Sequence, residues 1–141
     1  MACMFMLLLA ACATSGQTFK DMKASIPPVA ADNGRIFFYR VSPFLGAGAA
    51  VQPVVRVDGV EVGRSVPNGF FYIDHAPGKL KVATSTEVTE DTDVQLDAGQ
   101  TKYVRTDISI GLLVGRITPS AIDPDTALKE LQDLHYTGGK K

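Results

Sequence analysis

Cysteine is nearly missing from this chain: Cys3 and Cys12 are the only two in 141 residues. Both lie within the first twelve positions, so nothing beyond them can form a disulfide, a zinc–thiolate centre or a cysteine nucleophile. The domain that follows must be held by packing alone. Histidine is as scarce, with only His75 and His135. No His-x-His or His-x-x-x-His spacing occurs, and a zinc site needs at least three protein ligands. Cationic excess is lacking too. The net charge is −1 and Lys140-Lys141 are the only adjacent cations, which leaves nothing to neutralise a phosphate backbone, so no nucleic-acid partner is expected. No apolar run approaches the roughly 20 residues of a bilayer span. The familiar catalytic signatures are missing as well: there is no Gly-x-Ser-x-Gly, and no Gly-Lys-Ser/Thr follows a glycine loop. Gly46-Ala47-Gly48 begins like a dinucleotide fingerprint but lacks the third glycine and leads into a strand pattern, not a helix. No cofactor and no metal are expected, and the chain reads as non-enzymatic.

What is present is an ordinary globular balance, 45% apolar and 21% charged residues, enough for one domain with a real core. Arg35 to Val41 is the strongest strand pattern. Aromatic and β-branched residues occupy both parities there, which predicts a central strand covered on both faces. Residues 52–57 and 60–64 predict a hairpin through Asp58-Gly59. Further turns are expected at Pro67-Asn68-Gly69, at Ala76-Pro77-Gly78-Lys79 (type II) and at Ala98-Gly99. Strands are expected at 70–74, 79–83, within 86–96 after an acidic bend (Glu87, Glu90, Asp91, Asp93), at 101–110, and at 112–118 beyond Gly111. Turn signals every 8 to 12 residues are the cadence of an all-β sandwich or barrel.

Two stretches read as helix. Phe19, Met22 and Ile26 keep helical spacing until Pro27-Pro28 stops it. Near the end, Asp123 is a good N-cap, Pro124 suits the first helical position, and Leu128, Leu131 and Leu134 form a stripe. That predicts a C-terminal helix of about 12 residues.

Candidate sites are few. His75 follows Asp74, but neighbouring strand residues point to opposite faces. The acidic bend does not match a calcium loop. Arg40, Arg105 and Arg116 fall inside strands, where they either pair with Asp74 and Asp107 or, with Tyr39, Tyr72 and Tyr103, line a groove for an anionic or sugar ligand. Phe44 and Leu45, in the Gly/Ala-rich stretch Ser42–Ala50, are candidates for contact with a partner or membrane. Phe44, Leu45, Arg105 and Arg116 therefore make up the candidate ligand or partner surface. The catalytic alternative is a glycan-directed hydrolase built on carboxylates such as Asp74, Asp91 and Asp107, which would need two of them about 5–10 Å apart.

Leu9-Ala10-Ala11-Cys12, closing the apolar run from Met4, resembles the lipobox of bacterial lipoproteins. The resemblance implies a signal peptide over 1–11, removed before Cys12, and acyl chains on Cys12 as the site of lipid attachment. No Lys or Arg precedes the run, as would follow from a start assigned too far downstream. Ala13 in place of Asp implies an outer-membrane address facing the periplasm. Residues 12–33 then read as a lipid-anchored tether with a short helix, 34–136 as a β-sandwich domain with a C-terminal helix, and 137–141 as a tail.

A family resemblance covers about residues 17–135. It rests on G-R-I-F-F-Y-R (34–40), V-D-G-x-x-V-G (57–63), P-N-G-x-F (67–71), A-P-G-K (76–79), Gly99 to Arg105, and V-G-R (114–116). In this order they are similar to a domain-of-unknown-function family of Gram-negative bacterial lipoproteins. The V-D-G…V-G…P-x-G core also resembles PEGA-type sandwich modules. These likenesses imply a mainly β, Ig-like or transthyretin-like antiparallel sandwich with a C-terminal helix. The protein is then expected to be a membrane-anchored envelope module that binds another envelope protein or cell-wall glycan.

Overall fold

The computed structural model describes residues 16–42, 50–109, 112 and 115–139. In chain order these form α1 (Phe19–Met22), continued by a 3-10 turn at Lys23–Ser25, then β1 (Gly34–Tyr39), β2 (Val54–Val57) and β3 (Val60–Arg64). Next come β4 (Gly69–His75), β5 (Gly78–Ser85), β6 (Thr89–Leu96), β7 (Thr101–Ser109), β8 (Arg116–Ile122), α2 (Pro124–Leu131) and β9 (His135–Tyr136). The strands form a five-stranded sheet in the order β8-β7-β1-β4-β9 and a four-stranded sheet in the order β3-β2-β5-β6. The fold is mainly β, as the turn cadence predicts.

β1 sits at the middle of the larger sheet, and all six of its residues are buried. Its double-sided apolar pattern is the reason. Ile36 and Phe38 face the smaller sheet, where they pack with Val55, Val57, Phe71, Leu80, Val82, Val94, Leu96 and Val104. Phe37 and Tyr39 face the other way, joined by Phe70 and Tyr103 and covered by Phe19, Ala127, Leu131 and Leu134. The molecule thus has three layers: two helices, the larger sheet and the smaller sheet.

The larger sheet is mixed, where the family likeness implies a wholly antiparallel one. β1 pairs antiparallel with β4 but parallel with β7, and β4 pairs parallel with β9; the other strand pairings are antiparallel. A parallel neighbour needs a long crossover, and here the chain makes it by travelling through the smaller sheet between β4 and β7. Ala76-Pro77 is accordingly a link between sheets. Gly78 has a φ of +151°, more open than the ~+80° of a type II turn. The β2–β3 hairpin matches expectation: Asp58 (φ 49°) and Gly59 (φ 82°) supply the two positive values of a type I′ turn.

Several further details differ from the sequence reading: β8 occupies Arg116–Ile122 where the sequence predicts a strand over 112–118. The residues read as an acidic bend mostly continue as strand β6, whose alternation sends Asp91 and Asp93 to Lys81 and Lys79 while Glu90 turns towards Arg116. α2 spans eight residues, not about twelve. It stops because Leu134 turns back into the core, its N–H donating to the Leu131 carbonyl, and the chain then joins β4 as β9. The buried stripe of α2 is Ala127, Leu131 and Leu134, whereas Leu128 is 37% exposed. Asp123 caps α2 as expected, accepting from the Thr126 N–H.

Candidate functional site

Cys12, Phe44 and Leu45 lie outside the described residues. Arg105 and Arg116 are described, and the structure does not bring them into one groove. Arg105 projects from β7 towards α2, where its Nε donates to Asp107 at 2.8 Å and one terminal nitrogen donates to Glu130 at 2.7 Å. Arg116, at the start of β8, meets Glu87 at 3.4 Å and Glu90 at 4.0 Å at the hairpin tips.

The tyrosines expected beside these arginines are core components. Tyr103 stacks on Phe37 with 5.5 Å between ring centroids. Tyr72 lies under the Arg35 guanidinium, 4.7 Å from its ring centre. Tyr39 is buried and donates its hydroxyl to Glu130 at 2.6 Å. Burial, and then the adjacent Glu130 carboxylate, hold Tyr39 well above the usual tyrosine range; burial also raises Tyr103. Arg105 too is raised, burial being outweighed by the combined hydrogen bond and charge of Asp107 and the charge of Glu130. The result is a closed network, Tyr39–Glu130–Arg105–Asp107, that fastens α2 to the sheet. Tyr39 is buried and Arg105 and Glu130 are half-buried, while Asp107 lies at the open side; their polar atoms engage one another, which suits positioning rather than ligand capture.

The carboxylates of the hydrolase alternative are also separated. Asp74 receives a two-pronged contact from Arg35, at 2.6 and 2.9 Å. Asp91 faces Lys81 on the outer surface of the smaller sheet. Asp107 is near the far end of β7, six residues along from Thr101, which shares a register row with Arg35 and Asp74; at about 3.3 Å per residue that is roughly 20 Å. His75 Nδ1 contacts the Ala76 carbonyl at 2.8 Å rather than Asp74, as strand alternation predicts, and His135 Nδ1 contacts the Gly16 carbonyl at 2.9 Å. Among the described residues no group of three or more His, Cys, Asp or Glu could hold a metal ion. No helix among them is long and apolar enough to cross a membrane.

Two clefts meet at Val66 and Thr137. One, of about 470 Å³, is lined by Gly16, Gln52, Val66, Tyr136 and Thr137. The other, of about 290 Å³, adds Glu61, Gly63, Arg64, Gly138 and Gly139. The larger cleft presents the Gln52 amide and the side chains of Tyr136 and Thr137, and the smaller adds the Glu61 carboxylate and the Arg64 guanidinium.

Two polar anchors escaped the sequence reading. Glu130 falls on the same helical face as Ala127, Leu131 and Leu134, and a carboxylate on a buried stripe signals a buried partner. Arg35 shares its parity with Phe37 and Tyr39, so it had to find Asp74 across the strand pair and the Pro27 carbonyl, 2.6 Å away, beneath the helical layer.

The chain is 27% identical over 134 residues to an uncharacterized protein of Haemophilus influenzae, an overlap of 92% of this chain and 77% of the relative. No solved structure matches it. Residues 30–116, β1 through the start of β8, match the family described as "Protein of unknown function (DUF2846)". The chain belongs to that family.

Proposed function

We propose that this is a lipid-anchored envelope protein of the outer membrane, facing the periplasm, whose sandwich is a non-catalytic module for binding another envelope protein or a cell-wall glycan. The observation that carries the reading is Leu9-Ala10-Ala11-Cys12 at the end of an uncharged apolar run. A β-sandwich body without any cysteine begins shortly after it, consistent with a thiol reserved for acylation. The two-sheet architecture agrees with the transthyretin-like and PEGA-like likeness of the V-D-G…P-x-G segments. The separation of Asp74, Asp91 and Asp107 speaks against the hydrolase alternative.

Acyl chains contribute about 0.8 kcal/mol per buried CH₂, so two or more make the attachment effectively permanent. Changing Cys12→Ser should move the protein from the membrane pellet to the soluble fraction of lysed cells. Mass spectrometry of the wild-type chain should find the acyl mass on a peptide beginning at Cys12. A Cys12→Ser variant that stays in the pellet would overturn the reading.

A further inference from the structure

The strands define two ends. At the end where β1 finishes, Ser42 donates to the Asn68 side chain at 3.1 Å, and the tips of the β5–β6 and β7–β8 hairpins touch, with Leu112 N–H donating to Glu87 at 2.7 Å. Leu112 is 89% exposed at this end and Val88 is 37% exposed. Ala50 is here too, beside Ser85 and Thr86. Thr18 is at the same end of the strands, at the β9 edge of the sheet. Gln17 accepts from the Tyr136 N–H and Thr18 bridges His135, which pairs with Gly69 at the start of β4.

Charge separates the two ends. The turns at the opposite end and the first turn of α2 contain Asp32, Asp97, Asp123 and Asp125 and no Lys or Arg. At the Leu112 end, Glu87 is held by Arg116 and Asp133 by Lys20.

Gly16 is four residue steps from Cys12, with three residues between them, and an extended chain of that length reaches at most about 14 Å. Acyl chains on Cys12 therefore keep the body against the lipid, with no long leash. We infer that the end carrying Leu112 and Val88 rests on the lipid surface that holds Cys12, with the aspartate-bearing end directed away; this rests on the anchored reading above. Exposed leucine and valine gain by entering the headgroup–acyl boundary, and anionic headgroups repel the carboxylate end.

The test uses the full chain, acylated in the producing cells, with Leu112→Cys or Val60→Cys labelled by a polarity-sensitive fluorophore. Val60 is an exposed control, 66% accessible, beside the Asp58-Gly59 turn. Each protein is reconstituted into phosphatidylethanolamine–phosphatidylglycerol vesicles carrying a nitroxide-labelled lipid. The expected result is blue-shifted, quenched emission at position 112, at a depth of about 5–10 Å, and unchanged emission at 60. Co-sedimentation with the vesicles reads the anchor separately. Protein that sediments without quenching at 112, or with quenching only at 60, overturns the orientation and leaves the anchor standing. Protein that fails to sediment and carries a free Cys12 overturns the anchored reading itself. A probe at 112 that is silent in vesicles but shielded in native envelopes overturns the lipid contact in favour of a protein partner.

Discussion

Phe19→Ala tests whether the segment ahead of β1 belongs to the fold. Phe19 is 5% exposed and meets two rings edge-on: Phe37 at 5.8 Å and 86°, and Phe70 at 5.6 Å and 81°. Truncating a core phenylalanine costs about 3–5 kcal/mol, and edge-to-face pairs contribute about 0.5–1.5 kcal/mol each within such a figure. The segment is otherwise fastened by few bonds, among them Phe19 N–H to the Leu134 carbonyl and Lys20 N–H to the Gln132 carbonyl. A loss of about 4 kcal/mol is therefore expected. Against a total of roughly 5–15 kcal/mol the protein stays folded, and at about 4 °C per kcal/mol its Tm falls by about 15 °C. Urea unfolding followed by circular dichroism gives the difference, and amide exchange at Phe19 and Tyr136 locates it. A loss below about 1 kcal/mol with an unchanged urea slope would refute the reasoning, because the ring would then contribute nothing to the packing of α1.

Three other perturbations follow from the same packing. Tyr39→Phe should cost about 1–2 kcal/mol at neutral pH by leaving Glu130 short of a donor. Burial raises the folded pKa of Tyr39, so its contribution is complete below the ordinary tyrosine value of about 10 and is lost as pH rises beyond it; the variant's stability should fall less steeply there in urea titrations. Asp123 is held low by its hydrogen bond from Thr126, so its cap acts above the ordinary carboxylate range and is lost as pH falls through the lowered folded value. Asp123→Ala should accordingly destabilise at neutral pH and converge with wild type in acid, as read by thermal melts. Gly63→Ala would put a methyl 2.6 Å from the Phe71 ring and should cost about 1–3 kcal/mol by overpacking, measured by urea midpoint.

Much of the sandwich was legible because β1 and β7 carry their environments in their parity. Residues 35–41 predicted a covered central strand, and Val104 and Ile108 were correctly set against Tyr103, Arg105 and Asp107. The nature of that second face was not legible. It reads as half-polar, and only the return of α1 and α2 over Phe37 and Tyr103 makes it interior. For Arg105, the expected pairing with Asp107 is present, whereas its second partner, Glu130, sits on a helix 25 residues later and left no signal in the strand pattern. Pairing order was hidden too, since alternation reports faces and says nothing of parallel or antiparallel neighbours. Strand β9 has two residues, too few to leave a periodic signal, and it drew the end of α2 out of register with the leucine count.

The parallel pairing of β1 with β7 has a consequence for the order in which the molecule forms. Arg35 can meet Asp74 earlier but cannot meet its β7 neighbour until Thr101 has been made, and Phe19 cannot donate to Leu134 until nearly all of the body exists. Contacts so distant in sequence make folding slow, because loop closure must precede any reward from pairing. The central strand thus gains its second neighbour only when the last third of the chain is being made.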